Sequence, residues 1–171
     1  MTVVMDSSDG CGGITCVPAT TALVEGLVRS CSSEALQRRF FLPAPTTPAA
    51  VLARYGTYLL AGPPEGAAVV ARRSGRSIGL LNLVVTAPGT VEAGLLVADD
   101  WQRRRVATCL LEAELRSGRW AGWTIVATVQ ADNRPVLALL QRLRLGQLRV
   151  LDGGPSAWEF AIELAATRTR R

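Results

Sequence analysis

Apolar residues fall into two rhythms along this chain, and the change between them divides it. In the first stretch they recur every three or four positions. "ITCV" (Ile14 to Val17) reads as a short first strand. Pro18 suits the first turn of a helix running to about Arg29, with Leu23, Leu27 and Val28 on one face. A second helix, Ser33 to Phe41, opens at a serine pair that can cap it and is broken by "FLPAPTTP". A third, short helix covers Ala49 to Tyr55.

Then the period shortens. "TYLLAG", "AAVVARR", "SIGLLNLVVT" and "TVEAGLLVA" are four runs rich in Val, Ile and Leu, and connections such as "PPEG" and "RSGR" predict an antiparallel meander. A helix follows with Val106, Cys109, Leu110 and Ala113 as its apolar stripe and Gly118 as its stop. "WTIVATVQ" is a strand, Asn133 to Leu143 a helix, and "QLRVLDG" and "AWEFAIEL" the last two strands. In the final strand Trp158, Phe160, Ile162 and Leu164 alternate with Glu159, Ala161 and Glu163, as a half-buried strand requires. The expectation is a mixed α/β domain over residues 14–165, with a flexible leader (1–13) and a basic tail (166–171).

Composition narrows the chemistry. The chain of 171 residues contains no histidine, and every one of its 19 basic residues is arginine. Ser-His-Asp and Cys-His nucleophile systems are therefore excluded, as are a P-loop or Schiff-base lysine and His-based zinc catalysis. The four cysteines, Cys11, Cys16, Cys31 and Cys109, lack metal-ligand spacing, so no metal is expected and reduced thiols are. No apolar run approaches the roughly 20 residues of a membrane span, and the N-terminus lacks a signal-peptide pattern. A cytoplasmic protein with no membrane partner is the expectation. The net charge of +5 is spread over the chain among few aromatic residues, so nucleic acid is not expected as a partner either.

One cluster stands out. In "VADDWQRRRVATCLLEAEL", Arg103, Arg104 and Arg105 stand where a strand ends and a helix begins. The first-turn amides of that helix have no intrahelical acceptor, and the helix dipole adds roughly half a positive charge there. Cations at that end oppose the dipole. Either the run is a solvated turn flanked by Asp99 and Asp100, or a polyanion binds at it.

"LLVADDWQRRRVATCLL" resembles the first signature of the GNAT superfamily of acyl-CoA N-acyltransferases, with Gln102 and Ala107 matching and Arg105 in the place of a glycine. "ADNRPVLALLQRLRLG" is similar to the second signature, in which an Asn opens a helix before the last strand pair. Within the superfamily, "SCSSEALQRRFFLPAPTTPAAVLARY" and "VEAGLLVADDWQ" look most like the acetyltransferase domain of bacterial Pat-type protein-lysine acetyltransferases.

The resemblance implies a mostly antiparallel central sheet, flanked by helices and splayed between its fourth and fifth strands, here "TVEAGLLVA" and "WTIVATVQ". It implies acetyl-CoA as cosubstrate in that splay. Backbone groups of Leu95, Leu96 and Val97 would hold the pantetheine arm. Gln102, Arg103, Arg104, Arg105, Val106, Ala107 and Thr108 would bind the pyrophosphate, and Asn133 would lie on the cofactor side. Glu92, an acid in an apolar strand segment, is the candidate general base, with burial expected to raise its pKa. The acceptor would be a primary amine, possibly a protein lysine, and homodimers are frequent in the fold. Two departures accompany this: Arg105 replaces a glycine, and Leu140 stands where many members carry a tyrosine acid. The alternative they leave open is a catalytically degenerate domain that senses CoA or binds proteins.

Overall fold

The computed structural model describes residues 11–142 and 145–166. Along the chain these form β1 (Thr15–Pro18), α1 (Thr21–Ser30), α2 (Ser33–Phe40), α3 (Pro48–Leu59), β2 (Gly66–Arg73), β3 (Arg76–Ala87), β4 (Thr90–Val97), a 3-10 turn (Asp99–Trp101), α4 (Val106–Leu115), β5 (Thr124–Gln130), α5 (Arg134–Arg142), β6 (Gly146–Gly153) and β7 (Ala157–Leu164). The strand order is β1-β2-β3-β4-β5-β7-β6. This is the mixed α/β architecture that the pattern predicts.

Two compact units share the chain. The first gathers the described residues up to Val84 together with Gly94–Glu114. Its helices are capped by hydroxyls: Thr20 accepts from Leu23 N, Ser32 from Ala35 N and Thr47 from Ala50 N, with Pro48 in the first turn of α3. Val24, Leu27 and Val28 of α1, Leu36 of α2, and Val51 and Leu59 of α3 bury against Val70 of β2, Leu80 of β3 and Leu96 of β4. β1 and β2 pair antiparallel, as do β2 and β3.

The second unit gathers Val85–Ala93 with the described residues from Leu115 onward. Here β4 and β5 pair in parallel at three positions, Thr90 with Thr124, Val91 with Ile125 and Glu92 with Val126. Parallel neighbours need a crossover connection, and α4 lies in it. β5 pairs antiparallel with β7, and β7 with β6. Trp120 is buried edge-on to Trp123, their ring centroids 5.2 Å apart.

Three expectations change. "TYLLAG" is no strand: Thr57 to Leu59 complete α3, because Val51, Tyr55 and Leu59 carry one helical stripe straight through Gly56. Pro18 ends β1, and α1 begins only at Thr21, after its Thr20 cap. The third concerns the thiols. Cys11 and Cys109 form a disulfide, where reduced thiols were expected throughout, while Cys16 and Cys31 keep theirs, both buried. Residues 1–10 of the expected leader lie outside the described residues, but its end does not: Cys11 is buried and its carbonyl accepts from Ile14 N at 3.1 Å. Of the basic tail only Ala166 is described. Among the described residues, no helix is long and apolar enough to cross a membrane.

The pairing has a direct consequence for thiol titration. Protein purified without reductant and unfolded in denaturant should show two reactive thiols, Cys16 and Cys31. Four would contradict the Cys11–Cys109 bond.

Candidate functional site

The arginine turn is built by three constraints. Glycine at position 79 of β3 is the first. A Cβ there would meet Val106 Cγ1 at 2.6 Å and Leu110 Cδ1 at 3.1 Å, so only glycine lets the first turn of α4 lie this close to β3. The second is Asp99. Its carboxylate accepts from Ser32 N at 2.8 Å and from Ser32 Oγ at 2.6 Å, fastening the start of α2 to the chain leaving β4. The third is Gln102, whose Nε2 donates to the Val97 carbonyl at 3.4 Å and closes the loop between strand end and helix start.

Between Gln102 and Val106 the backbone turns sharply. Arg103 and Arg105 adopt φ of 60° and 64°, a conformation that costs a side-chain-bearing residue about 1–2 kcal/mol. Arg105, which stands in the place of a glycine in the family pattern, lies in the left-handed region that glycine enters without a Cβ penalty. The Arg105 carbonyl accepts the first helical bond, from Cys109 N at 2.9 Å. The amides of Val106, Ala107 and Thr108 therefore lie in the first turn with no intrahelical acceptor.

All three arginines are exposed, yet they are not equivalent. The Arg104 guanidinium lies over the Trp101 ring, Cζ 5.4 Å from its centroid, and Arg73 from the end of β2 lies at the same distance from the same ring. Arg73 was not singled out from the sequence, because only the fold brings the end of β2 to Trp101. Of the two acids that precede the run, Asp99 is committed to Ser32, and Asp100 is exposed. The turn thus combines first-turn amides that lack an intrahelical acceptor with several exposed cations.

Cys31 completes the surroundings. Burial, and secondarily the Asp99 charge, pushes its thiol up from 9.0 to about 12, so it stays a thiol and offers no nucleophile.

The expected site residues divide between the units. Leu95, Leu96, Val97, Gln102 and residues 103–108 come together in the first. Leu96 is buried, Leu95 and Val97 half-buried. Glu92 and Asn133 belong to the second. Glu92 is exposed on β4, where burial was expected. Asn133 acts as a cap: its Oδ1 accepts weakly from Val136 N at 3.5 Å and its carbonyl from Leu137 N at 3.2 Å. Leu140 is buried, and no hydroxyl replaces it at that position. Arg39, Asn82 and Gly94, which the fold brings together, were not singled out from the sequence either. The one signal was "RRFF", whose arginine–aromatic run stands at the end of an amphipathic helix.

The family profile described as "Acetyltransferase (GNAT) domain" matches residues 14–145. Comparison with curated proteins by sequence finds no match. Several solved structures share the fold. The GNAT domain of S. lividans PAT is 23% identical, with 87% of this chain and 90% of that one covered and a TM-score of 0.66. A GNAT superfamily phosphinothricin acetyltransferase from Sinorhizobium meliloti, in complex with AcCoA, is 16% identical, with 92% of each chain covered and a TM-score of 0.67. A ribosomal-protein-alanine N-acetyltransferase from Brucella melitensis is 15% identical, with 87% and 98% covered and a TM-score of 0.62.

The left-handed arginine supplies a test. Arg105→Gly should stabilise the fold by about 1 kcal/mol, read as a higher urea midpoint, because glycine takes that conformation without a Cβ penalty. Arg104→Gly, at a position without positive φ, should leave stability unchanged or lower it. Equal effects at the two positions would show that the turn is not strained at Arg105.

Proposed function

The chain belongs to the acetyltransferase (GNAT) domain family, that of acetyl-CoA-dependent N-acetyltransferases, and from that premise we propose how this chain transfers the acetyl group to a primary amine. The observation that carries the reading is the turn from Gln102 to Thr108. There the first-turn amides of α4 and the exposed Arg103, Arg104 and Arg105 gather where a pyrophosphate would be bound. Arg105 fits this role through its exposed guanidinium, a donor to phosphate oxygens. The Leu95 and Leu96 backbone would take the pantetheine arm, with Val97 held in place by its bond to Gln102.

Acetyl-CoA supplies the activated acyl thioester. The acceptor nitrogen bonds to the thioester carbon, the carbon–sulfur bond breaks, and the sulfur leaves with its electron pair. Glu92 stands on the same strand as Leu95, and in this reading it takes the ammonium proton, directly or through water. Its exposure suits that task, since the proton must then pass to solvent. With Leu140 buried in the place of an acid, the departing thiolate is protonated by solvent.

The acceptor is the finer question. Similar folds belong to a phosphinothricin and to a ribosomal-protein-alanine acetyltransferase, so the fold does not choose among amines. A protein lysine remains the acceptor favoured by the resemblance of "SSEALQRRFF" and "VEAGLLVADDWQ" to Pat-type domains. Leu140 and the strained Arg105 favour a second reading, a domain that binds CoA without turning it over.

Calorimetric titration with acetyl-CoA, followed by an assay of thiol release over lysine peptides and small amines, separates these. The expected result is saturable one-site binding, with Glu92→Gln lowering turnover by about a hundredfold while the Kd for acetyl-CoA stays within about twofold. Binding without turnover on any amine would support the degenerate domain. Folded protein that does not bind acetyl-CoA would sink both.

A further inference from the structure

Arg39, in the last turn of α2, does not reach for solvent. Its guanidinium lies on β4 at Gly94. A Cβ built on Gly94 would stand 1.6 Å from Arg39 Nη2, 2.5 Å from its Cζ and 2.8 Å from Asn82 Oδ1. Any other residue at 94 would have to displace the guanidinium. The space that a side chain would fill on this stretch of β4 is filled by an arginine from a helix instead.

Two further features hold the guanidinium there. Asn82 of β3 is fully buried, the only polar or charged residue so placed among the described residues. Its Oδ1 accepts from Arg39 Nη2 at 2.9 Å, while its Nδ2 is buried with no partner among the described residues. The rings of Phe40 and Tyr58 lie 5.0 Å and 6.0 Å from Arg39 Cζ, and Phe40 stacks in turn on Tyr55 at 4.4 Å. Withdrawing a cation from water is costly, and an amide oxygen with two aromatic faces offsets part of that cost.

Such an arrangement is a poor choice for stability alone, since well-packed apolar residues commonly do as well. Its place explains it. Gly94 directly precedes Leu95, Leu96 and Val97, the backbone read above as the seat of the pantetheine arm. Glycine inside a strand packs no side chain and leaves the backbone freer than any other residue. A rigid, planar guanidinium with fixed donors restores the definition that the glycine gives up.

We propose that Arg39 is a positioning residue for the cofactor's acyl arm. It clamps β4 at Gly94, through Asn82, so that the backbone of Leu95–Val97 is held in one conformation before acetyl-CoA arrives. The inference rests on the acetyl-CoA reading of the preceding subsection and adds to it a part of the chain, α2, outside both family signatures.

The test compares two ligands in calorimetric titrations: acetyl-CoA, and the ADP head group of CoA with its extra phosphate but without the pantetheine arm. Arg39→Met and Gly94→Ala should each weaken acetyl-CoA by about tenfold and leave the head group within about twofold, because the phosphates meet the arginine turn instead. The double variant should be no weaker than the poorer single, since both changes remove one contact. Arg39→Lys, which keeps the charge but loses the planar fork, should fall between wild type and Arg39→Met. Should Arg39→Met not fold, Arg39→Lys and Gly94→Ala carry the comparison. A merely structural role would weaken both ligands alike, or neither, and either pattern in folded variants would overturn the proposal. Wild-type protein that binds neither ligand would instead remove the cofactor reading, and this inference with it.

Discussion

Helix α4 can lie against β3 only because residue 79 is glycine, and much of the site follows from that approach. With Val106 seated 2.6 Å from where a Cβ would stand, the first turn of α4 has a fixed height above β3. The chain leaving β4 must then reach it within a few residues. It does so through a 3-10 turn, a bond from Gln102 back to Val97, and two residues forced into the left-handed region. The strain at Arg103 and Arg105 is thus the local consequence of a packing decision made on another strand. Strain of this kind persists where the surroundings over-determine the backbone, and it gathers at functional sites.

The arginines solve a problem that the helix dipole alone would make worse. Cations beside unpaired amides repel what the dipole repels, so an empty turn of this composition is electrostatically unfavourable. Trp101 relieves part of it by offering its ring to Arg73 and Arg104, and a bound polyanion would relieve the rest. Lysines would not serve as well here. A guanidinium stacks on an indole and bonds phosphate in a plane, whereas an ammonium is a strongly hydrated point charge.

Much of this was legible in the sequence, and the limits have physical causes. The strand–turn–helix with its arginines was readable because it is local: apolar run, charged turn and apolar stripe follow one another in the chain. The extent of α3 was misjudged because Gly56 looks like a break, although Val51, Tyr55 and Leu59 keep helical spacing across it. The clamp of Arg39, Asn82 and Gly94 was illegible for a different reason. Its members are far apart in sequence, and nothing in "QRRFF" distinguishes the arginine that is exposed, Arg38, from the one that turns inward. The Cys11–Cys109 bond was hidden likewise: one partner sits in a glycine-rich stretch and the other within an apolar helical stripe, a separation of 98 residues. Glu92 was singled out as an acid in an apolar strand segment, and apolar neighbours in sequence do not reveal which face of the strand is exposed.

What the chain lacks shapes its chemistry as firmly as what it holds. Without histidine it has no side chain whose ordinary pKa lies near neutrality. The buried thiol of Cys31 is driven the other way, pushed up to about 12. Its raised value also ties it to stability: the contribution is fully present below pH 9.0, the ordinary thiol value, and is lost as pH rises towards 12. In the proposed reading, proton traffic during acetyl transfer is shared between Glu92 and solvent. That arrangement needs an accessible carboxylate rather than a buried one, and the exposed Glu92 meets the requirement. Cofactor geometry would carry the remaining burden in that reading, because holding the thioester in place is itself a large source of rate. In the proposed reading the Arg39 contact on β4 and the arginine turn would serve one purpose, since both would fix acetyl-CoA from residues that never exchange a proton.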